Sequence, residues 1–195
     1  KDAGLKINFF VEKEPLGTAG FLRKTPRING DFVVVNVDNL FDLDLSRMLE
    51  QHRSSGVIGT IGLKEVEDPR QYGVVLLDGN KIIKFVEKSS NPPSNVISSG
   101  YYILNEKIFD FIPDKDFIMF ETDVFPGLAR RGLLGGFLSE GLWFDTGTYE
   151  RYEEVKRKWK MIKWWVALRM RCFIGIELPV YIKDNLFSLQ NQISG

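Results

Sequence analysis

DFVVVNVDNLFDLDLSRMLEQHRSSGVIGTIGL, residues 31–63, is the stretch that decides the fold. It opens on the apolar run Phe32 to Val37 and closes on Val57 to Leu63. Both runs are short and rich in β-branched residues, which predicts strands. Between them, Leu45, Met48 and Leu49 share one face of a helix over Leu45 to His52, with Gly56 just past its end. A helix between two strands implies a parallel crossover. Phe32-Val33-Val34-Val35 has no polar alternation, as expected of a strand covered on both faces. An α/β layered fold follows.

Working outward, further strands are predicted at Ile7 to Val11, Val74 to Leu77 and Ile82 to Val86. Asp78-Gly79-Asn80 joins the last two as a hairpin turn, so an antiparallel element is inserted and the sheet is mixed. Downstream come a strand at Ser98 to Leu104, a short helix at Asn105 to Phe111 closed by Pro113, and a helix at Glu121 to Arg131 followed by Gly132. Strands at Gly135 to Leu138 and Leu142 to Phe144 precede a charged helix from Tyr149 to Lys158. Its acids come early and its bases late, in keeping with the helix dipole.

The 195 residues suit one main domain plus a tail, here placed at 1–160 and 161–195. Hydrophobic residues at 44% and charged residues at 27% describe a globular chain able to bury a core. Lys+Arg and Asp+Glu are equal at 26 each, so no single-sign field favours nucleic acid or a membrane surface, and neither is expected as a partner. The apolar stretch Ile162 to Val180 is broken by Lys163, Arg169, Arg171 and Glu177 and does not read as a membrane span. Cys172 is the only cysteine, which excludes an internal disulfide and points to a reducing, cytoplasmic setting. His52 is the only histidine, which removes triads and histidine-cluster metal sites from consideration. The chain opens at Lys1 in ordinary domain sequence, so the expectation is a fragment.

Several groups could carry chemistry. Pro15-Leu16-Gly17-Thr18-Ala19-Gly20 precedes a helix, and its small residues would let a ligand approach the backbone; a tight turn explains the same residues. Glu12 just before it reads equally as a solvated carboxylate. Asp38 follows a buried run, at a strand end of the kind where open α/β sheets bind ligands, and Asp145 holds a similar place after Leu142-Trp143-Phe144. Two carboxylates from distant strand ends suit Mg²⁺, although a turn or capping role would also account for each. Glu87-Lys88 closes a strand ahead of a seven-residue loop of turn-formers, Ser89 to Asn95, where an acceptor beside a cation could grip a hydroxylated, phosphorylated ligand.

Taken in order, Glu14-Pro15-Leu16-Gly17-Thr18-Ala19-Gly20, Val35-Asn36-Val37-Asp38, Tyr72-Gly73-Val74-Val75, Phe85-Val86-Glu87-Lys88, Ser99-Gly100-Tyr101-Tyr102, Asp123-Val124-Phe125-Pro126 and Trp143-Phe144-Asp145-Thr146-Gly147-Thr148 resemble the sugar-1-phosphate nucleotidyltransferases. That family includes mannose-1-phosphate guanylyltransferases and glucose-1-phosphate thymidylyltransferases. The resemblance covers about Ala3 to Lys158. It implies a Rossmann-like, mixed but mainly parallel sheet flanked by helices, incomplete at its N-terminal side. It implies an enzyme that joins a nucleoside monophosphate from GTP or dTTP to a sugar 1-phosphate with release of pyrophosphate. By the same resemblance Asp38 and Asp145 hold Mg²⁺ and, with Lys88, form the catalytic set. Glu87 and Lys88 hold the sugar and its phosphate, Gly73 and Gly100 offer backbone to the sugar, and Glu12 and Gly17 face the base, with guanine preferred. A homo-oligomer is admitted.

Three features depart from that family. No glycine-rich loop with its Arg and Lys-Pro motif precedes Lys1, so impaired turnover is expected. Val37 stands where the family has Gly, and Ser89 where it has Pro. The tail Met170-Arg171-Cys172-Phe173-Ile174-Gly175-Ile176-Glu177-Leu178-Pro179 resembles the opening of the 2′-5′ RNA ligase or RNA cyclic phosphodiesterase family but lacks its two His-x-Thr motifs, so no catalysis is expected of it. The competing reading is a non-catalytic sugar-phosphate-binding or subunit-assembly module.

Overall fold

The computed structural model describes residues 9–165, with side chains through residue 158. The readings made of residues 1–8 and of the tail from 166 onward lie outside the described residues. In chain order the elements are helix α1 (Gly17–Lys24), strands β1 (Asp31–Val35) and β2 (Asn39–Phe41), helix α2 (Leu45–Ser55) and strand β3 (Gly59–Glu65). The hairpin β4 (Val74–Asp78) and β5 (Lys81–Val86) follows, then the long β6 (Val96–Asn105) and a 3-10 turn (Glu106–Phe111). A π turn (Phe120–Val124) runs into helix α3 (Phe125–Arg130), and β7 (Leu134–Leu138), β8 (Trp143–Asp145) and helix α4 (Tyr149–Trp165) complete the described chain.

Six strands form one sheet in the order β1-β6-β3-β7-β5-β4, while β2 and β8 pair as a separate ribbon. The lack of alternation in β1 has the expected cause, since both of its faces are covered. Phe32 and Val34 join a core with Ile61, Leu63, Tyr102, Phe120 and Phe125, and Val33 and Val35 pack on the other side with Met48, Tyr101 and Ile103. Each fully buried side chain of this size contributes ~1.5–3 kcal/mol. Helix α2 lies on the second face. Its N-terminus is capped by Asp44, which accepts from the Arg47 N–H at 3.0 Å, and Gly56 in the left-handed region ends it.

The mixed α/β architecture agrees with expectation, but "mainly parallel" needs correction. Four strands run one way and β5 and β6 the other, yet among the described residues the only parallel ladder is β3 with β7. The reason is β6, which inserts antiparallel between β1 and β3 and so separates the two strands of the crossover. A second correction concerns the strand at Ile7 to Val11. Residues 9–11 form no ladder, and Phe9 and Val11 are 88% and 81% exposed. An apolar run becomes a strand only where a neighbour pairs it, and among the described residues none does. The predicted helix at Glu121 to Arg131 is instead a π turn followed by one short α-helix. No helix among the described residues is long and apolar enough to cross a membrane.

Candidate functional site

The β2–β8 ribbon brings together the two aspartates singled out from opposite ends of the sequence. Asn39 registers with Asp145, and Thr146 donates to the Asp38 carbonyl through both its N–H, at 2.7 Å, and its Oγ1, at 2.8 Å. Gly147 then adjoins both carboxylates. A Cβ built on it would lie 3.1 Å from Asp145 Oδ1 and 3.2 Å from Asp38 Oδ2. Those two oxygens therefore lie no further apart than the two distances laid end to end, so the two carboxylates border one small space. Asn39 Nδ2 donates to Asp38 Oδ1 at 3.0 Å, and the Gly147 N–H donates to Asp145 Oδ1 at 2.8 Å. Each carboxylate is thus oriented by a short local hydrogen bond.

The surroundings of the two carboxylates differ. Asp38 is exposed and enters no ion pair among the described residues. Asp145 is 14% exposed and paired through Oδ2 with Arg151 NH1. The other arm of that guanidinium donates to Gln71 Oε1, and its carbon lies 5.7 Å from the centre of the Tyr72 ring. Tyr72 meets Trp143 edge-on at 5.3 Å, and Trp143 Nε1 donates to the Ser99 carbonyl at 3.0 Å. Burial raises the Tyr72 phenol above its ordinary pKa; Arg151 opposes the shift and Asp145 adds to it. Sequence reasoning missed this brace of Arg151, Gln71, Tyr72 and Trp143. One signal was present: Arg151 sits in the first turn of α4, where the helix dipole disfavours a cation, and such a residue needs an anion nearby.

Across the sheet, Gly73 and Glu87 adjoin. A Cβ on Gly73 would lie 2.6 Å from the tip of the Phe85 ring and 3.0 Å from Glu87 Oε2, so a side chain there would fill the space beside the carboxylate. Glu87 has its pKa raised, by burial first and by the nearby charge of Glu121, with Lys88 pulling the other way. Glu121, buried in the π turn, accepts from Thr18 Oγ1 at 2.6 Å and escaped the sequence reading. Lys88 follows with φ at 26°, the one non-glycine residue of positive φ among the described residues, and its ammonium lies 3.9 Å from Glu87 Oε1. Strained backbone of this kind gathers at functional sites. Lys88 also lines an open cleft of about 450 Å³ with Asp68, Arg70, Gln71, Ser89 and Ser90. Gln71 links this cleft to the aspartate pair through Arg151.

The remaining candidates have more local settings. Gly100 is buried in β6 with φ at 80°, and a Cβ on it would meet Asn39 Nδ2 at 2.7 Å. It thereby makes room for the asparagine that orients Asp38, and its carbonyl accepts from the Asn36 N–H at 2.8 Å. Gly17 begins α1 with φ at 79°, and its missing side chain lets the helix start press against the Ile118 backbone. Glu12 is exposed and its Oε2 accepts from the Leu16 N–H at 3.1 Å. Val37 beside Asp38 is 91% exposed.

The oxygen-only donor set fits a hard divalent ion such as Mg²⁺, which takes one or two carboxylates and fills the rest of its shell with water and phosphate. Among the described residues no group of three or more His, Cys, Asp and Glu is placed to hold a metal ion, so the two aspartates would have to share the ion with water and phosphate.

The chain belongs to the nucleotidyl transferase family, whose model matches residues 1–161. It is 40% identical over 154 residues to mannose-1-phosphate guanyltransferase 2 of Candida glabrata, covering 75% of this chain and 42% of that protein. The chain thus spans about two fifths of the length of the curated relatives it matches. Among solved structures, one from Bacillus anthracis named as a glucose-1-phosphate thymidylyltransferase, in complex with sucrose, aligns with a TM-score of 0.68 at 26% identity over 77% of this chain and 64% of that one. HddC from Yersinia pseudotuberculosis complexed with GMP-PN aligns at 0.63 and 30% over 79% of this chain and 67% of that one.

Proposed function

We propose that this chain carries the cation-binding and sugar-phosphate-binding part of a sugar-1-phosphate nucleotidyltransferase. In that reaction a phosphate oxygen of the sugar 1-phosphate attacks the α-phosphorus of a nucleoside triphosphate, the bond from that phosphorus to the bridging oxygen breaks, and pyrophosphate leaves. The observation that carries the proposal is the convergence of Asp38 and Asp145 around Gly147. Mg²⁺ held there would neutralise phosphate charge, which is most of what such a displacement requires. Glu87 accepts from sugar hydroxyls beside Gly73, where any side chain would crowd the carboxylate, and Lys88, its backbone set by a positive φ, supplies a cation to the sugar phosphate. Gly100 acts beneath the site by giving Asn39 room to orient Asp38.

The proposed base is guanine. Glu12, ahead of the Gly17 turn, offers two acceptor oxygens to the paired N–H donors of guanine once it releases the Leu16 N–H, whereas thymine presents a mixed edge. The names of the guanyltransferase relatives favour the same choice. The test is calorimetric titration of the full chain with mannose 1-phosphate, GTP and dTTP, with and without Mg²⁺. Binding that depends on Mg²⁺ is expected, with GTP displacing dTTP. Binding indifferent to the cation, or dTTP outcompeting GTP, would refute the corresponding part of the proposal.

A further inference from the structure

The two aspartates offer a cation unequal charge. Asp38 is exposed and, among the described residues, has only the neutral Asn39 amide on its carboxylate, whereas Asp145 is largely buried and already neutralised by Arg151. A divalent ion arriving from water therefore meets about one net negative charge and a guanidinium that repels it. That guanidinium stands at a border. One arm holds Asp145, and the other holds Gln71, a wall residue of the cleft shared with Lys88, Ser89, Ser90 and the ion-paired Asp68 and Arg70. An arginine fork binds phosphate as readily as carboxylate, so a phosphate in that cleft could take over the guanidinium without loss of charge-assisted hydrogen bonds.

We infer that Arg151 is a positioning residue that keeps Asp145 occupied until a phosphate-bearing ligand draws the guanidinium into the cleft, so that cation and phosphate bind cooperatively. This rests on Asp38 and Asp145 being the cation ligands. The coupling is reciprocal, the cation tightening phosphate binding by the same factor as phosphate tightens the cation. The position of Arg151 in the first turn of α4 eases its release, because the helix dipole opposes a positive charge there.

The experiment measures Mn²⁺ binding to the full 195-residue chain by electron paramagnetic resonance, with and without saturating mannose 1-phosphate, for the wild type, Arg151→Gln and Asp38→Asn. In the wild type the sugar phosphate should tighten Mn²⁺ binding by about tenfold. Arg151→Gln should bind Mn²⁺ alone about tenfold more tightly than the wild type, with less than about a twofold further gain from the sugar phosphate. Equal or weaker Mn²⁺ binding by Arg151→Gln would make Arg151 a fixed brace and overturn the inference. So would a wild type that shows no tightening, a result that stands even if the variant fails to fold. If Asp38→Asn binds Mn²⁺ as the wild type does, the cation assignment itself fails and takes this inference with it. Loss of binding in Asp38→Asn with no change in Arg151→Gln refutes the inference alone.

Discussion

Gly147→Ala separates the stability of this fold from the function of its site. Gly147 is not among the glycines of positive φ, so alanine fits its backbone. Such a replacement ordinarily stabilises by ~0.4–1 kcal/mol, because it restricts the unfolded chain. Where the methyl group goes is the difficulty. It would stand 3.1 Å from Asp145 Oδ1 and 3.2 Å from Asp38 Oδ2, when ordinary contact begins at 3.4 Å. Each carboxylate must retreat by a few tenths of an ångström. Mg²⁺ and Mn²⁺ tolerate little change in their ligand geometry, and disturbing the groups that orient metal ligands costs ~10–100-fold in affinity. The expectation is therefore Mn²⁺ binding weakened by ~10–100-fold with a melting temperature equal to or slightly above the wild type, read by titration and thermal denaturation of the same sample. Wild-type Mn²⁺ affinity in Gly147→Ala would show that the space between the two carboxylates is not where the cation sits.

Glu87→Gln should raise stability at pH 7 while weakening sugar-phosphate binding. Burial and Glu121 raise the folded pKa of Glu87, so its ionisation opposes folding as pH rises past its ordinary value of 4.5. The gain in denaturation midpoint should vanish as pH falls through 4.5, and no gain at pH 7 would contradict this account. His52 should make stability fall with acid. Its ring is buried, with Nδ1 2.8 Å from Thr60 Oγ1, and burial holds its pKa below 6.5 despite the pull of Asp31. Below pH 6.5 the unfolded chain accepts a proton that the fold resists, so urea midpoints should decline from there and decline less in His52→Gln; identical slopes would refute the assignment.

Local signals were readable where the cause was local. The apolar run of β1, the amphipathic turn pattern of α2 with Gly56 behind it, and the Gly79-Asn80 hairpin all rest on residues within a few positions of one another. The insertion of β6 between β1 and β3 does not, since pairing over such distances leaves no periodic trace, and the parallel content was overstated as a result. The site divides in the same way. That Asp145 closes a strand was legible, whereas Asp38 lies in the turn between β1, which stops at Val35, and β2; their meeting depends on two three-residue strands, β2 and β8, too short to announce themselves. Glu121 was hidden because a buried carboxylate looks like any helix-start acid until Thr18 is seen against it. Arg151 was absorbed into a reading of α4 as a charged surface helix, although its place in the first turn was the exception in that pattern.

The most direct measurement is the number of Mn²⁺ ions bound per chain in the wild type, Asp38→Asn and Asp145→Asn, with folding checked by circular dichroism. One ion shared between the carboxylates predicts a stoichiometry of about one in the wild type, with each single substitution weakening that same ion by at least about tenfold. Two ions, each lost with a different aspartate, or an Asp38→Asn protein that binds as the wild type does, would contradict the shared site on which this account depends.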